Sequence, residues 1–265
     1  MKKQLMTLTA LLGLSLMLFS CSDDTGTTPD PVEDVTYFNG NVETYVYDEY
    51  DLDTANTEVA GTRHQDSLTY EEETSKDGKT ASEYNVQTNA EGSYSDDGSV
   101  FYSGETNKMY AHLSVFQSLF GNIKAEGFSL ESLFDGAGDW FLIADAKASK
   151  SWTLFEGKQT FDLPSPAGST ETDVVITIAN SVKESMVIDG ETLSVDRYNL
   201  NVNIKTTLVL VGELNIDVKG AFWVAPNIGL VKSNVNSFTV PIADINVEGT
   251  ESVLLKYKMK TQLEK

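Results

Sequence analysis

The chain has 265 residues, of which 40 are acidic and 19 basic, and its formal net charge is −21. A field of this sign repels phosphate backbones and anionic headgroups, which argues against nucleic-acid binding and against electrostatic docking on a membrane surface. With 40% hydrophobic and 10% aromatic residues, the chain can bury a large core and is not predicted to be disordered.

The chain begins with a segment typical of a secretory signal peptide. Two lysines precede an apolar run over 8–19, which is shorter than the ~20 residues that a membrane-spanning helix needs. Cys21, the only cysteine, follows directly. Residues 18–21 resemble the bacterial lipobox, in which the cysteine is diacylated and the leader is cleaved before it. The resemblance implies a lipoprotein signal peptide over 1–20 and a lipid on Cys21; an ordinary signal peptide is the alternative.

The residues after the cysteine predict a tether and a location. The segment 21–35 is acidic, contains two prolines and has little to bury, so we expect a flexible tether. Ser22 stands where an aspartate would retain a lipoprotein in the inner membrane of enteric bacteria. The run 22–24 is similar to the acidic export signal of Bacteroidota-type lipoproteins. We therefore expect a lipid-anchored outer-membrane protein, exposed on the cell surface or on the periplasmic face.

The rest of the chain, 36–265, is predicted to be a single β-rich domain. Alternation of apolar and polar residues, as at Leu200, Val202 and Ile204, indicates strands with one buried and one solvated face. Four Asp-Gly or Glu-Gly pairs predict tight hairpin turns, at 77–78, 91–92, 97–98 and 189–190.

Two segments interrupt the β pattern. Apolar residues spaced by three and four predict a helix within 109–134, starting near Tyr110, and Ser129 is predicted to cap a second short helix through 134. The proline-containing loop 164–168 is the predicted break between subdomains. The sequence leaves open whether the two sides of this loop form one sheet or two.

A turn late in the chain carries a family resemblance. Pro226 ends the ladder of one strand, and Asn227 and Gly229 tolerate the positive φ of a tight turn. The pattern W-x-A-P-x-x-G-L-V-K over 223–232 resembles a turn in a family of uncharacterised bacterial outer-membrane lipoproteins, some of them TapB-like.

This resemblance extends over about residues 37–245 and implies a strongly curved antiparallel sheet, an incomplete barrel. Together with the strand and helix patterns above, it predicts an all-β fold with minor α content: a large curved antiparallel sheet, a half-barrel or incomplete barrel with one or two short helices. The family has no assigned reaction, so the motif residues are predicted to be structural: Trp223, Pro226, Asn227, Gly229 and Lys232.

No catalytic motif appears in the sequence. His64 and His112, the only histidines, lie outside any metal-ligand spacing, and we expect His64 at the surface and His112 at a polar or core-edge position. The many carboxylates leave a glycosidase-like pair open. No cofactor is predicted, although the acidic runs 48–53 and 135–139 leave calcium as an alternative to solvated turns.

Aromatic residues are the better indication of binding. Six of them are predicted to line an apolar cavity inside the curved sheet, with plain core packing as the alternative: Trp140, Phe141, Trp152, Phe155, Phe222 and Trp223.

The sequence therefore predicts a lipid-anchored, non-catalytic module that binds an envelope protein, a glycan or another envelope component. One alternative is a carrier of a lipid or other apolar ligand. A second is a carboxylate-based hydrolase, which would need two inward carboxyl groups roughly 5–10 Å apart in a cleft.

Overall fold

The computed structural model describes residues 33–90, 92–121, 124–125, 128–129, 138–163, 168–179, 182–208, 212–240 and 245–261. The predictions on the leader, on Cys21 and on the tether up to residue 32 lie outside these residues. The chain from Asp34 onward forms one compact unit.

The described residues form the following elements. They are β1 (Val42–Leu52), β2 (His64–Lys76), β3 (Lys79–Ala90), β4 (Ser93–Glu105), β5 (Lys108–His112), α1 (Leu113–Gly121), β6 (Lys124–Ala125), β7 (Phe128–Ser129), β8 (Trp140–Asp145), β9 (Trp152–Leu163), β10 (Gly168–Ile178), β11 (Val182–Ile188), β12 (Glu191–Leu208), β13 (Gly212–Ala225), β14 (Gly229–Val235), β15 (Phe238–Val240), β16 (Ile245–Val247) and β17 (Gly249–Met259).

Most strands belong to one antiparallel sheet of 13 strands. Its order is β8-β5-β4-β3-β2-β1-β17-β14-β13-β12-β10-β9, and β11 pairs with β12 beside β10. Because β1 pairs with β17, the first and last strands meet in the interior of the sheet. The loop at 164–168 joins paired strands β9 and β10, so the chain on its two sides forms one sheet and the predicted subdomain break is wrong.

The two edge strands of this sheet approach each other. The indole N–H of Trp152, at the start of β9, donates to the Leu142 carbonyl of β8 at 2.9 Å. The sheet therefore curls into a nearly closed, barrel-like structure. This confirms the predicted all-β fold with a large curved antiparallel sheet.

Alternation along the strands builds the core. Every second residue of β12 and β13 faces inward, so Val202, Ile204, Ile216 and Val218 are almost fully buried, as their spacing predicts. Beside β14, the hydroxyl groups of Tyr45 and Tyr47 donate to the carbonyls of Ile228 and Leu230, each at 2.6 Å. The inward tyrosines thus fill the core and satisfy backbone groups of the 223–232 turn.

The helix α1 packs into this core. Phe116 is fully buried, and its ring lies 4.7 Å from that of Phe141 on β8 and 6.0 Å from that of Phe222 on β13. The helix begins at Leu113, later than predicted, because Tyr110 belongs to β5, which pairs with β4 and β8. Within the described part of the chain, no helix has the length and apolar composition needed to cross a membrane.

One further local prediction is wrong. Asp97-Gly98 lies inside β4, where Asp96 pairs with Gln87 and Gly98 with Val86, so Asp97 is the extra residue of a β-bulge. Ser129 ends the short strand β7, which pairs with β6. The second helix that Ser129 is predicted to cap, through 134, lies outside the described residues. The Asp-Gly pairs at 77–78 and 189–190 form the predicted turns with positive φ.

Residues 34–41, here called the N-terminal strap, join turns from two parts of the sheet. Val35 exchanges two hydrogen bonds with Asn107 in the β4–β5 turn, at 2.6 and 2.8 Å. The Asn227 amide of the β13–β14 turn donates to the Thr36 carbonyl at 2.7 Å. The Tyr37 hydroxyl donates to Asp196 at 2.6 Å, and burial raises the pKa of Tyr37 far above its usual value, so the phenol remains protonated. The strap closes one end of the barrel.

The 223–232 motif has the structure predicted from its residues. Asn227 and Gly229 have φ of 63° and 97°, which make the reversal after Pro226. Trp223 donates to Glu184 at 2.8 Å on the outer face, where Lys232 lies 4.9 Å from the Trp223 ring centroid. The motif therefore holds the β13–β14 turn against the strap on one side and fixes an outer-face cluster on the other.

Candidate functional site

A polar cluster interrupts the inner face of the barrel on β1 and β2. In the register of β1 and β2, Tyr47 lies opposite Asp66 and Glu49 opposite His64. The inward-facing residues of β1 therefore change from tyrosines to the titratable Glu49. Glu49 and Asp66 are buried, with 6% and 8% of their surface exposed, whereas the His64 side chain is 22% exposed. Glu49 lies seven residues beyond Val42, or about 23 Å along β1 from the end that the strap covers.

The three side chains converge on a small volume. The His64 Nε2 atom lies 3.7 Å from Asp66 Oδ1 and 4.0 Å from Glu49 Oε1. One donor atom from each side chain lies within 4.8 Å of the others. We call this group the Glu49–His64–Asp66 cluster.

Hydrogen bonds from outside the cluster orient two of its members. His64 Nδ1 lies 3.1 Å from the Thr62 carbonyl oxygen. A carbonyl only accepts, so Nδ1 carries the proton and Nε2 is directed towards the carboxylates. On β3, the Thr88 hydroxyl donates to Asp66 Oδ1 at 2.7 Å.

The electrostatics of the cluster favour an added positive charge. Burial raises the pKa of Asp66, and the nearby Asp97 carboxylate raises it further, whereas the Thr88 hydrogen bond and His64 lower it. Burial thus makes Asp66 harder to ionise than an exposed aspartate, and a cation bound beside it would stabilise the carboxylate.

A small cavity reaches the two carboxylates from inside the barrel. Its volume is about 40 Å³, and residues from the inner face and from α1 line it, among them Glu49, Asp66, Val115 and Ser118. One water needs roughly 10–15 Å³ of such space, so the cavity has room for an ion or for a few waters. We call this space the mouth cavity.

A wider surface depression adjoins the mouth cavity. It has a volume of about 430 Å³ and includes Asp97, Ser114 and Gln117 at its outer side. It shares Val86, Val100 and Ser118 with the mouth cavity. The depression therefore lies directly beside the cavity that Glu49 and Asp66 line.

The six aromatic residues predicted to line one apolar cavity lie in several environments. Phe141 and Phe222 flank Phe116 in the packed core. Trp152 packs against Tyr198, with ring centroids 5.9 Å apart, at the seam between the edge strands. Phe155 is half-buried on β9.

The other two are the tryptophans of the outer face. Trp140 donates to the Lys76 carbonyl at 3.0 Å and packs against His112. Trp223 lies with Glu184 and Lys232. The structure therefore does not bring the six side chains together.

The acidic run 48–53 is divided between two faces of β1. Asp48 binds Arg63 at 2.5 Å on the outer face, while Glu49 faces the mouth cavity. Asp53 accepts hydrogen bonds from Ala55 and from the amide and hydroxyl of Thr57 at 2.7–2.9 Å, which makes it a turn residue. Of the second run, 135–137 lie outside the described residues.

His112 has a structural arrangement. The Ser114 amide donates to its Nδ1 at 3.1 Å, so Nε2 carries the proton and donates to Asp77 at 3.0 Å. The ring packs against Phe101 and Trp140. His112 thus connects the β2–β3 turn to the end of β5, at the polar, core-edge position expected for it.

Sequence comparisons give no family for this chain: no protein-family model matches it, and no curated protein does. Among solved structures, it is similar to a proposed lipoprotein from Parabacteroides distasonis, with 12% identity, a TM-score of 0.45 and coverage of 85% of this chain and 100% of that one.

Two further solved structures are similar to this chain. One is a proposed exported protein with a YmcC-like fold from Bacteroides fragilis, with 10% identity, a TM-score of 0.37 and coverage of 85% and 100%. The other is the hypothetical lipoprotein YmcC from Escherichia coli, with 13% identity, a TM-score of 0.31 and coverage of 80% and 84%. The resemblance to TapB-like lipoproteins stays a prediction.

Proposed function

We propose that the protein is a lipid-anchored lipoprotein of the outer membrane that acts as a non-catalytic binding module for a small cationic ligand. The observation that carries the binding role is the Glu49–His64–Asp66 cluster, which places two buried carboxylates against one imidazole. The lipid anchor rests on the leader and on Cys21.

Two rival functions are less well supported by this geometry. An apolar-ligand carrier was predicted from aromatic side chains that the structure separates. For a carboxylate-based hydrolase, the inward pair Glu49 and Asp66 has oxygen atoms within 4.8 Å, closer than the roughly 5–10 Å that such a pair needs, and the cavity beside it has a volume of only about 40 Å³. This space suits an ion or waters rather than a sugar ring, so we favour binding without catalysis.

Replacing Asp66 with asparagine tests the binding role. With a chelator present at neutral pH, Asp66→Asn should raise the free energy of unfolding by on the order of 1 kcal/mol. The substitution removes a buried charge but keeps an oxygen that accepts the hydrogen bond from the Thr88 hydroxyl. Saturating cation should stabilise the natural protein, by about 2.7 kcal/mol at roughly a hundredfold excess over Kd, and should stabilise the variant little.

The measurement is denaturant unfolding of the full-length protein in detergent, with EDTA and with each of Ca²⁺, Zn²⁺, Mn²⁺ and putrescine. Glu213→Gln, an exposed carboxylate on β13, is the matched control and should behave as the natural protein does. Equal stabilisation of the natural protein and Asp66→Asn, or no stabilisation of either by any of the four cations, would overturn the proposed function.

The lipid anchor is tested separately by Cys21→Ala. Without the thiol no acyl chain can be attached, so the protein should move from the membrane fraction to the soluble fraction. The measurement is fractionation of cell envelopes followed by immunoblotting, with Ser22→Ala as the control. Retention of Cys21→Ala in the membrane fraction would contradict the lipoprotein assignment.

A further inference from the structure

We propose that the Glu49–His64–Asp66 cluster is a binding site for a divalent transition metal, with Zn²⁺ as the ion used to test it. This inference rests on the proposed function, because it names the class of cation that the module binds. It is carried by the donor set, the spacing of the donor atoms, the groups that orient them and the space around them.

The donor set separates transition metals from the alkaline-earth ions. Ca²⁺ and Mg²⁺ take oxygen ligands, whereas imidazole nitrogen favours Zn²⁺, Fe²⁺, Ni²⁺ and Cu²⁺. The cluster supplies one imidazole nitrogen from His64 and carboxylate oxygens from Glu49 and Asp66. Three protein ligands with a further open position are typical of sites that also bind water or a small molecule.

The spacing of the donor atoms needs only a small contraction. A tetrahedral Zn²⁺ ion with bonds of about 2.0–2.1 Å holds its ligand atoms about 3.3–3.4 Å apart. His64 Nε2 lies 3.7 Å from Asp66 Oδ1 and 4.0 Å from Glu49 Oε1. Each of these two distances exceeds the tetrahedral spacing by less than about 1 Å, which small side-chain rotations would close.

Groups outside the cluster hold it as metal ligands are usually held. Metal-binding histidines donate their second ring N–H to a carbonyl or a carboxylate, which fixes the ring and its tautomer. His64 does so through Nδ1 and the Thr62 carbonyl, which leaves Nε2 for the metal. Thr88 similarly holds Oδ1 of Asp66.

The surroundings provide room for further ligands and a charge that attracts cations. The mouth cavity, of about 40 Å³, has room for a few waters beside Glu49 and Asp66, and these could complete the coordination of a bound metal. The wider depression that adjoins it carries Asp97, whose charge attracts cations towards the site.

The test compares Zn²⁺ and Ca²⁺ binding to the untagged full-length protein in detergent, by isothermal titration calorimetry. Zn²⁺ should bind with 1:1 stoichiometry and more tightly than Ca²⁺. Loss of an outer-shell partner costs roughly 10–100-fold in metal affinity, so Thr88→Val should weaken Zn²⁺ binding by about that factor and His64→Gln by more. His112→Gln is the matched histidine control and should keep the Zn²⁺ affinity of the natural protein.

The outcomes separate this inference from the proposed function. Ca²⁺ or putrescine binding that depends on Asp66, without tighter Zn²⁺ binding, would overturn the transition-metal site and leave the cation-binding role standing. Zn²⁺ binding that His64→Gln and Thr88→Val both leave unchanged would place the metal elsewhere and overturn the inference. Absence of binding by every cation would overturn both. Circular dichroism of each variant verifies that it is folded.

Discussion

Phe116→Ala is expected to lower the free energy of unfolding by about 3–5 kcal/mol, the usual cost of removing a buried aromatic ring. The ring is fully buried between Phe141 and Phe222, on strands from different parts of the sheet, so its loss leaves a cavity that α1 cannot refill. Because α1 supplies Val115 and Ser118 to the mouth cavity, cation affinity should fall in the same variant.

The measurement is equilibrium unfolding in urea, monitored by tryptophan fluorescence and by circular dichroism. Gln117→Ala, on the exposed face of the same helix, is the control and should change the free energy of unfolding by less than about 0.5 kcal/mol. A loss for Phe116→Ala below about 1 kcal/mol would show that α1 does not support the core as described.

Gly104→Ala should be the second most damaging substitution, with a loss of about 2–3 kcal/mol. A β-carbon at this position would overlap the Phe38 carbonyl, which is backbone and cannot rotate away. The strap would have to leave β4, and the Phe38 ring would lose its packing against Tyr102, at 5.7 Å between centroids. Displacement of the strap would also break the hydrogen bonds of Val35 with Asn107 and of Tyr37 with Asp196.

Gly157→Ala is the matched control for this substitution. It is also a glycine within a strand, but the three atoms nearest to its added β-carbon belong to the Phe155 ring, which can rotate. Its effect should stay below about 1 kcal/mol. Proteolysis under native conditions gives a second readout, since a displaced strap should be cut in Gly104→Ala and protected in Gly157→Ala. Equal stability and equal protection of the two variants would show that the strap does not pack against Gly104.

The strand pattern was readable from sequence because local chemistry dominates it. When one face of a strand is buried, an alternation such as Leu200-x-Val202-x-Ile204 determines which residues face the core. An Asp-Gly pair readily adopts the positive φ of a tight turn. The bulge at Asp97 was missed for the same reason. Its dipeptide is compatible with a turn or with an extra residue in a strand, and the pairing with β3 decides between them.

The binding cluster was not predicted, although a signal for it exists. The two-residue period that places Tyr45 and Tyr47 inward also places Glu49 inward, and register then brings His64 opposite Glu49. Sequence alone could not provide that register, because the loop between β1 and β2 is long enough to allow others. Trp140 and Trp223 were likewise predicted to line the barrel interior, but they lie on the outer face. The size of a tryptophan suggests that it is buried but does not indicate which face of the strand carries it.

The strap determines how mechanical force would enter the fold. A pull on the chain before Asp34 acts first on the Val35–Asn107 hydrogen bonds and on the ion pair of Asp34 with Lys147. Beyond them, the tension reaches β1, which is flanked on both sides, by β2 and by β17. Extracting such a strand requires two ladders to shear together, whereas an edge strand can be peeled away one hydrogen bond at a time. A chain attached through its N-terminus is thus joined to the fold at a strand that resists extension.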